Sequence, residues 1–451
     1  MIIRMAARYL DEWKLRPGRK PLVLRGARQV GKTHLATHWG SASFGSVVTV
    51  DLERERELHP VFDQSDPRKL LQELAVLKDQ RLVPGESLLF LDEIQACPRA
   101  LAALRYFHEL VPELHVIAAG SLLDFALRDA SHPMPVGRVE FLYLGPLAFG
   151  EFVRAVEGDG MAGVLEEYHA GDTISAALAG RLEDALRHYL FVGGMPEAVQ
   201  AYADRASLVD VQRIQSSIVG TMEDDFAKYG SRRQPDLLRL ALRHVARNVG
   251  RKIAFVNVAA GRRAAEVRAA FDLLAASRVV HLVHHSSANG VPLGAEVNEK
   301  RFKALFLDCG LANRLSGLPL VPADGLLTVN EGALAEQFAG QELLGSGLPF
   351  EDARLFYWHR EARNANAEVD YVISAGAEVL PVEVKSAAGG ALRSVFQFLK
   401  EKGRERAIRL YLGPAGEETL RVPGDGSRHV RVLSLPLYLA GQVRRLAAEW
   451  V

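Results

Sequence analysis

Cysteine is scarce: Cys97 and Cys309 are the two in 451 residues. Two thiols cannot staple a chain of this length, and their spacing is not that of a metal-ligand set. Long apolar runs are also missing, none approaching the roughly 18 uninterrupted residues of a membrane span. Internal repeats of solenoid period and low-complexity tracts are lacking. With 48% hydrophobic and 24% charged residues, disorder throughout, collagen and a coiled-coil rod are excluded. The opening MIIRMAARYLDEWK interrupts its apolar residues with Arg4, Arg8 and Asp11, too early for a secretory signal. A cytoplasmic protein with reduced thiols and no membrane partner is expected. Net charge is absent too, at 55 basic against 55 acidic residues.

That neutrality conceals a polarity. From Ser231 to Arg278 eleven Arg or Lys residues stand against three acids, a segment basic enough to meet a polyanion while the rest of the chain carries the compensating acidity. At roughly 150 residues per domain the length predicts about three domains. Over the first 155 or so residues, β-rich runs (Pro21–Arg25, Ser46–Asp51, Ser87–Asp92, His115–Ala119) alternate with helical patterns, which predicts a parallel sheet covered on both faces. Residues 156–230 read as helical. Two basic helices, Pro235–Val249 and Arg263–Ala276, precede β-like Val279–His284 and Ala304–Leu307, an order that fits a winged-helix unit over 231–325. After the Gly/Pro-rich linker candidate Leu315–Gly325 comes a second α/β domain, 326–451. It has a helix near Gly332–Leu344, strands near Leu355–His359, Glu368–Ile373 and Val379–Lys385, and a helix at Leu392–Lys402.

The first of those strands runs into Gly26, Ala27, Arg28, Gln29, Val30, Gly31, Lys32, Thr33 and His34. This is the G-x-x-x-x-G-K-[ST] loop, whose glycines let backbone N–H groups wrap phosphate oxygens at a helix N-terminus. Lys32 supplies a point charge to the β- and γ-phosphates of ATP, and Thr33 a hydroxyl to Mg²⁺. The apolar run Ser87–Leu91 ends in Asp92, expected to hold Mg²⁺ through water, and Glu93, expected to polarise the attacking water. Ser121, at the tip of the next strand, is a candidate γ-phosphate sensor or water-positioning group, with an ordinary turn serine as the alternative. Arg138 is a candidate finger in cis or toward a neighbouring subunit, or else a surface arginine.

GARQVGKT, LLFLDEIQ, AAGSLLDFAL, PVGRVEFLYLGPLAFGEF and FVGGMPEAV together resemble the AAA-type ATPases joined to a C-terminal domain of unknown function, the DUF4143 architecture. The resemblance implies an AAA+ core (1–155), a helical lid (156–230), a winged-helix unit (231–325) and a nuclease-like C-terminal domain (326–451).

In that last domain Asp370 lies on one expected strand and Glu383 and Lys385 on the next, where a side-chain period of two puts the latter pair on one face. Two carboxylates and the Val384 carbonyl make a hard-oxygen set suited to Mg²⁺. Lys385 would stabilise hydroxide or the transition state, and Glu336 would add a group from the preceding helix. With the helix carrying Gln397, this resembles the PD-(D/E)xK nuclease superfamily, including archaeal Holliday-junction resolvases. An ordinary solvated V-E-V-K strand, or a fold that only binds DNA, is the alternative.

Arg239, Arg243 and Arg247 recur four residues apart on one helix face, and Arg262, Arg263 and Arg268 lie on or beside the next helix. Both sets are candidates for phosphate contact, with a solvated face or an acidic partner as the alternative. His281, His284 and His285 read as structural. The expectation is an ATP- and Mg²⁺-dependent ATPase acting on branched or structured DNA as a homo-oligomer, with a hexamer in view. A DNA motor or clamp without cleavage, or a nucleotide-dependent signalling or defence switch on a protein partner, are the alternatives.

Overall fold

In the computed structural model, the apolar runs of the first half assemble into one parallel sheet. The structure describes residues 2–121, 123, 135, 137–226, 234–317, 326–360, 367–386, 392–423 and 425–451. Strands β1 (Leu22–Arg25), β2 (Ser46–Asp51), β3 (Ser87–Asp92), β4 (His115–Gly120) and β5 (Glu140–Tyr143) lie in the order β2-β3-β4-β1-β5, every pair parallel. All six residues of β3 and of β4 are buried, because helices cover both faces. Leu88 and Phe90 face the helices Ala6–Leu15 and Lys32–Ser43, through Leu10, Trp13, Leu35 and Trp39. Leu89 and Leu91 face Pro67–Leu77 and Pro98–Leu110, through Leu70, Leu74, Leu104 and Phe107. A period of two thus feeds two cores from one apolar run.

His115 opens β4 between the rings of Trp13 and Phe44. Burial pulls its pKa from the ordinary 6.5 down to about 4. The folded chain therefore binds this proton less readily than the unfolded one, and stability falls as pH drops from about 6.5 towards 4. Melting temperature against pH for His115→Gln is expected to lack that share of the acid slope.

Five helices follow β5: Phe149–Glu157, Asp159–Glu166, Ala176–Val192, Pro196–Arg205 and Leu208–Asp225. The basic helices run Gln234–Arg247 and Ala264–Ala276. Leu237, Leu238, Ala241, Leu242 and Val245 bury the inner face of the first, while Leu240 is exposed.

The remaining strands form a single sheet. These are β6 (Val280–Ser286), β7 (Val297–Phe306), β8 (Phe356–His359), β9 (Glu368–Ala375), β10 (Glu378–Val384), β11 (Arg406–Tyr411), β12 (Gly416–Val422) and β13 (Asp425–Pro436). Their order is β12-β13-β11-β10-β9-β8-β6-β7. The two strands expected as the wing of a separate unit, β6 and β7, are thus its far end, joined by the parallel pairing of His284 and His285 with Phe356 and Tyr357. The chain on either side of residue 325 builds the same sheet. Asp308, fully buried, ties it to the helices after β5: its carboxylate accepts the N–H of Leu311 at 2.9 Å and of Gly194 at 2.6 Å. Among the described residues no helix is long and apolar enough to cross a membrane.

Candidate active site

β1 ends at Arg25, and the loop to the helix Lys32–Ser43 rises from the carboxyl edge of the first sheet, beside the ends of β3 and β4. Gly26 has to be glycine: a Cβ there would lie 2.2 Å from the Leu144 carbonyl oxygen. Gly31 enters the helix with φ 91°, and Gln29 is also left-handed at φ 63°, so the loop doubles back over its own amides. Lys32 is 7% exposed. Its ammonium donates to the carbonyls of Ala27 (2.8 Å) and Gly26 (3.0 Å). Burial drives its pKa down to about 8 against the attraction of Glu93 and Asp92.

Thr33 Oγ1 donates to Asp92 Oδ2 at 2.7 Å, joining the loop to the end of β3. Burial raises the Asp92 pKa, and the Thr33 hydrogen bond resists the rise. Glu93 takes a left-handed backbone at φ 47°, a cost of roughly 1–2 kcal/mol for a residue other than glycine. Its carboxylate accepts from Ser121 Oγ (3.1 and 3.2 Å) and from Gln95 Nε2 (2.5 Å). Ser121 thus meets Glu93, while His34 is exposed and stacks on His38.

Two arginines escaped the sequence reading as more than loop and terminus. Arg28 donates through Nε to Ser121 Oγ (3.2 Å) and pairs with Asp225 at 2.9 Å, so one guanidinium links the phosphate loop, the Glu93 partner and the end of the helix Leu208–Asp225. Arg4 braces the loop, donating to the Val30 carbonyl (2.8 Å) and to Glu151 (3.0 Å). Arg138 is not brought here. It precedes β5, whose register sets Glu140 beside Leu22 at the start of β1, and it pairs with Glu109 at 2.7 Å. That is the edge of the sheet opposite the loop, which overturns a finger in cis.

The second cluster brings together Glu336, Asp370, Glu383 and Lys385, and adds Glu368, Lys252 and Lys303. Glu336 comes from the helix Leu326–Gly345, Asp370 from β9 and Glu383 from β10, with Lys385 just beyond. Lys385 Nζ pairs with Glu383 Oε1 at 2.5 Å, and Asp370 Oδ2 accepts the Val384 N–H at 2.8 Å. At the centre of the additions is Lys303 on β7, 1% exposed. Its ammonium lies 2.6 Å from Glu368 Oε1, 2.9 Å from Glu336 Oε1 and 3.9 Å from Asp370 Oδ1. Burial would lower its pKa, but Glu336, Asp370 and Glu368 outweigh that and hold it charged. Burial pushes Glu336 up to about 8 and Glu383 to about 7, and raises Asp370. Gln397 stays apart, bonded to Glu401.

Residues 18–153 match the family model of the AAA domain. Residues 331–438 match DUF4143 and residues 183–320 match DUF8612, both domains of unknown function; the latter match crosses the boundary drawn at residue 230. No curated protein matches the chain. Among solved structures, the Walker-type ATPase PABY2304 of Pyrococcus abyssi is similar at 16% identity, over 70% of this chain and 96% of that one, with a TM-score of 0.42. The Aeropyrum pernix ORC2 protein in ADPNP–ADP complexes matches at 13% identity, 75% and 96% coverage and a TM-score of 0.33. The RuvB Holliday junction branch migration motor of Thermotoga maritima matches at 17%, 66% and 93%, with a TM-score of 0.28.

Beyond the AAA-type domain, the basic face is less bare than its sequence. Arg239 pairs with Asp236, Arg243 with Glu223, Arg262 and Arg263 with Glu266, and Arg268 with Asp272. Of the six candidate arginines, Arg247 alone has no partner among the described residues. Arg232 and Arg233 lie outside them.

Proposed function

We propose that the protein hydrolyses ATP at the loop Gly26–Thr33 and uses the nucleotide cycle to act on DNA through the helix Gln234–Arg247. The observation that carries the first part is the convergence of Lys32, Thr33, Asp92 and Glu93 at the carboxyl edge of one parallel sheet, with Thr33 and Asp92 2.7 Å apart. A hydroxyl and a carboxylate at that distance are a hard-oxygen donor pair that fits Mg²⁺, which would supply charge neutralisation at the phosphates. Lys32 adds a buried positive charge for the β- and γ-phosphates. Glu93, steadied by Ser121 and Gln95, orients and deprotonates the attacking water. Arg28 reports the state of the loop to the helix ending at Asp225. An arginine from a neighbouring copy would complete the site, making turnover depend on protein concentration.

Arg28→Lys keeps the charge and loses the fork that spans Ser121 and Asp225. ATP hydrolysis at saturating nucleotide is expected to fall about tenfold, with circular dichroism unchanged. Turnover equal to the parent would remove Arg28 from the cycle.

Support for DNA comes from the row of arginines on one solvent-facing helix surface. Their ion pairs are exposed, worth roughly 0–1 kcal/mol each, and exchange readily for phosphates. The protein-switch reading is favoured by the same pairs, which show the face already matched to acidic side chains. ATPase activity with single-stranded, duplex and four-way-junction DNA across a salt series separates the two. DNA stimulation that fades with salt and is lost in Arg247→Glu supports the DNA reading; turnover indifferent to nucleic acid and salt supports the switch.

A further inference from the structure

Four carboxylates and three ammonium groups converge where β7, β9, β10 and the helix Leu326–Gly345 meet: Glu336, Glu368, Asp370 and Glu383 with Lys252, Lys303 and Lys385. Every one of these carboxylates is already engaged through at least one oxygen. Glu336 Oε1 and Glu368 Oε1 hold the Lys303 ammonium at 2.9 and 2.6 Å, Asp370 Oδ2 takes the Val384 N–H, and Glu383 Oε1 takes Lys385. Among the described residues Glu383 Oε2 remains without a hydrogen-bond partner, and Glu336 Oε2 and Asp370 Oδ1 accept none either, but each belongs to a carboxylate whose other oxygen is held by Lys385, Lys303 or the Val384 N–H. Among the described residues no group of three or more His, Cys, Asp or Glu side chains is arranged to hold a metal ion. The donor set therefore does not fit Mg²⁺.

We propose that the Lys303 ammonium occupies the place of a divalent cation, making this cluster a metal-independent ionic staple between β7 and the strands matching DUF4143. Lys303 is rigidly enclosed. The backbone at Gly250 (φ 74°) closes over Glu336 so tightly that a Cβ there would lie 2.2 Å from its Oε2, and Lys252 grips Glu368 from the same segment at 2.7 Å. A second cation at this spot would meet the buried ammonium at close range in a medium that screens charge poorly. Removing Lys303 would leave four carboxylates facing two ammonium groups, and so create a cation site.

Manganese titration of the full chain, followed by electron paramagnetic resonance, tests this with parent, Asp370→Asn, Lys303→Met and the Lys303→Met/Asp370→Asn double variant. Parent and Asp370→Asn are expected to bind Mn²⁺ identically. Lys303→Met is expected to bind one further equivalent, lost again in the double variant. Its melting temperature should fall by roughly 10 °C and recover with Mn²⁺. An equivalent bound by the parent and lost in Asp370→Asn overturns the proposal, as does a Lys303→Met protein that gains none. Should Lys303→Met fail to fold as expressed, refolding with and without Mn²⁺ decides: recovery only with the metal supports the staple, and none in either condition overturns it.

Discussion

Lys32→Ala protein is expected to hydrolyse ATP at least about a hundredfold more slowly than the parent chain, and to melt no lower. Both halves follow from where the ammonium sits. It is nearly sealed from water and held by two loop carbonyls, so its charge acts on phosphate oxygens through a poorly screening medium. The same burial lowers its pKa from 10.5 to about 8. A folded-state pKa below the unfolded one means that, at pH 7, keeping the group charged costs the fold on the order of 3 kcal/mol, a penalty that alanine removes. Turnover by malachite-green phosphate release and melting by scanning calorimetry are the two readouts. Activity retained at parental level would end the nucleotide reading, whatever the melting temperature.

Glu93→Gln is expected to keep nucleotide affinity within a few-fold and lose roughly 10²–10⁴ in hydrolysis. The amide preserves size and much of the bonding to Ser121 and Gln95 but cannot take a proton from water. The left-handed backbone at Glu93 points the same way, since strain of this kind persists where the surroundings enforce a particular side-chain direction. A fluorescent ATP analogue measures binding, and single-turnover hydrolysis measures the chemical step. Equal loss in both would assign Glu93 to binding, and a turnover matching the parent would move the water-activating role to another group.

Much of the AAA-type domain was legible beforehand. The expected runs Ser46–Asp51 and Ser87–Asp92 are strands over those same bounds: Ser87–Asp92 is a continuous apolar word covered on both faces, while Ser46–Asp51, on the outer strand, buries the alternate residues Val48 and Val50. β5, β11, β12 and β13 were not named. β12 carries Glu417, Glu418 and Arg421 on an outer strand, where alternation is diluted by exposed charge. The joining of β6 to the later strands was hidden for a different reason: the Val279–His284 run announces a strand, but nothing in it says that its neighbour will be Phe356–His359. Around the second cluster, Glu336, Asp370, Glu383 and Lys385 were legible as a set, whereas Lys303 was not. A lysine in the run VNEKRFKALF reads as a solvated side chain until Glu336, Glu368 and Asp370 fold over it.

What the amino-acid order determined alone is chemistry written in neighbouring residues: a phosphate loop complete between Gly26 and Thr33, and two carboxylates ending an apolar strand. Contiguous backbone can specify these because their geometry is set within a turn or two of chain. Tertiary structure decided which charge meets which. Arg28 finds Asp225 across 197 positions, Arg138 turns to Glu109 at the far edge of the sheet, Arg239 and Arg243 meet Asp236 and Glu223, and Lys303 enters a nest of carboxylates. An ion pair depends on distance and burial, and those exist only once the sheets have closed.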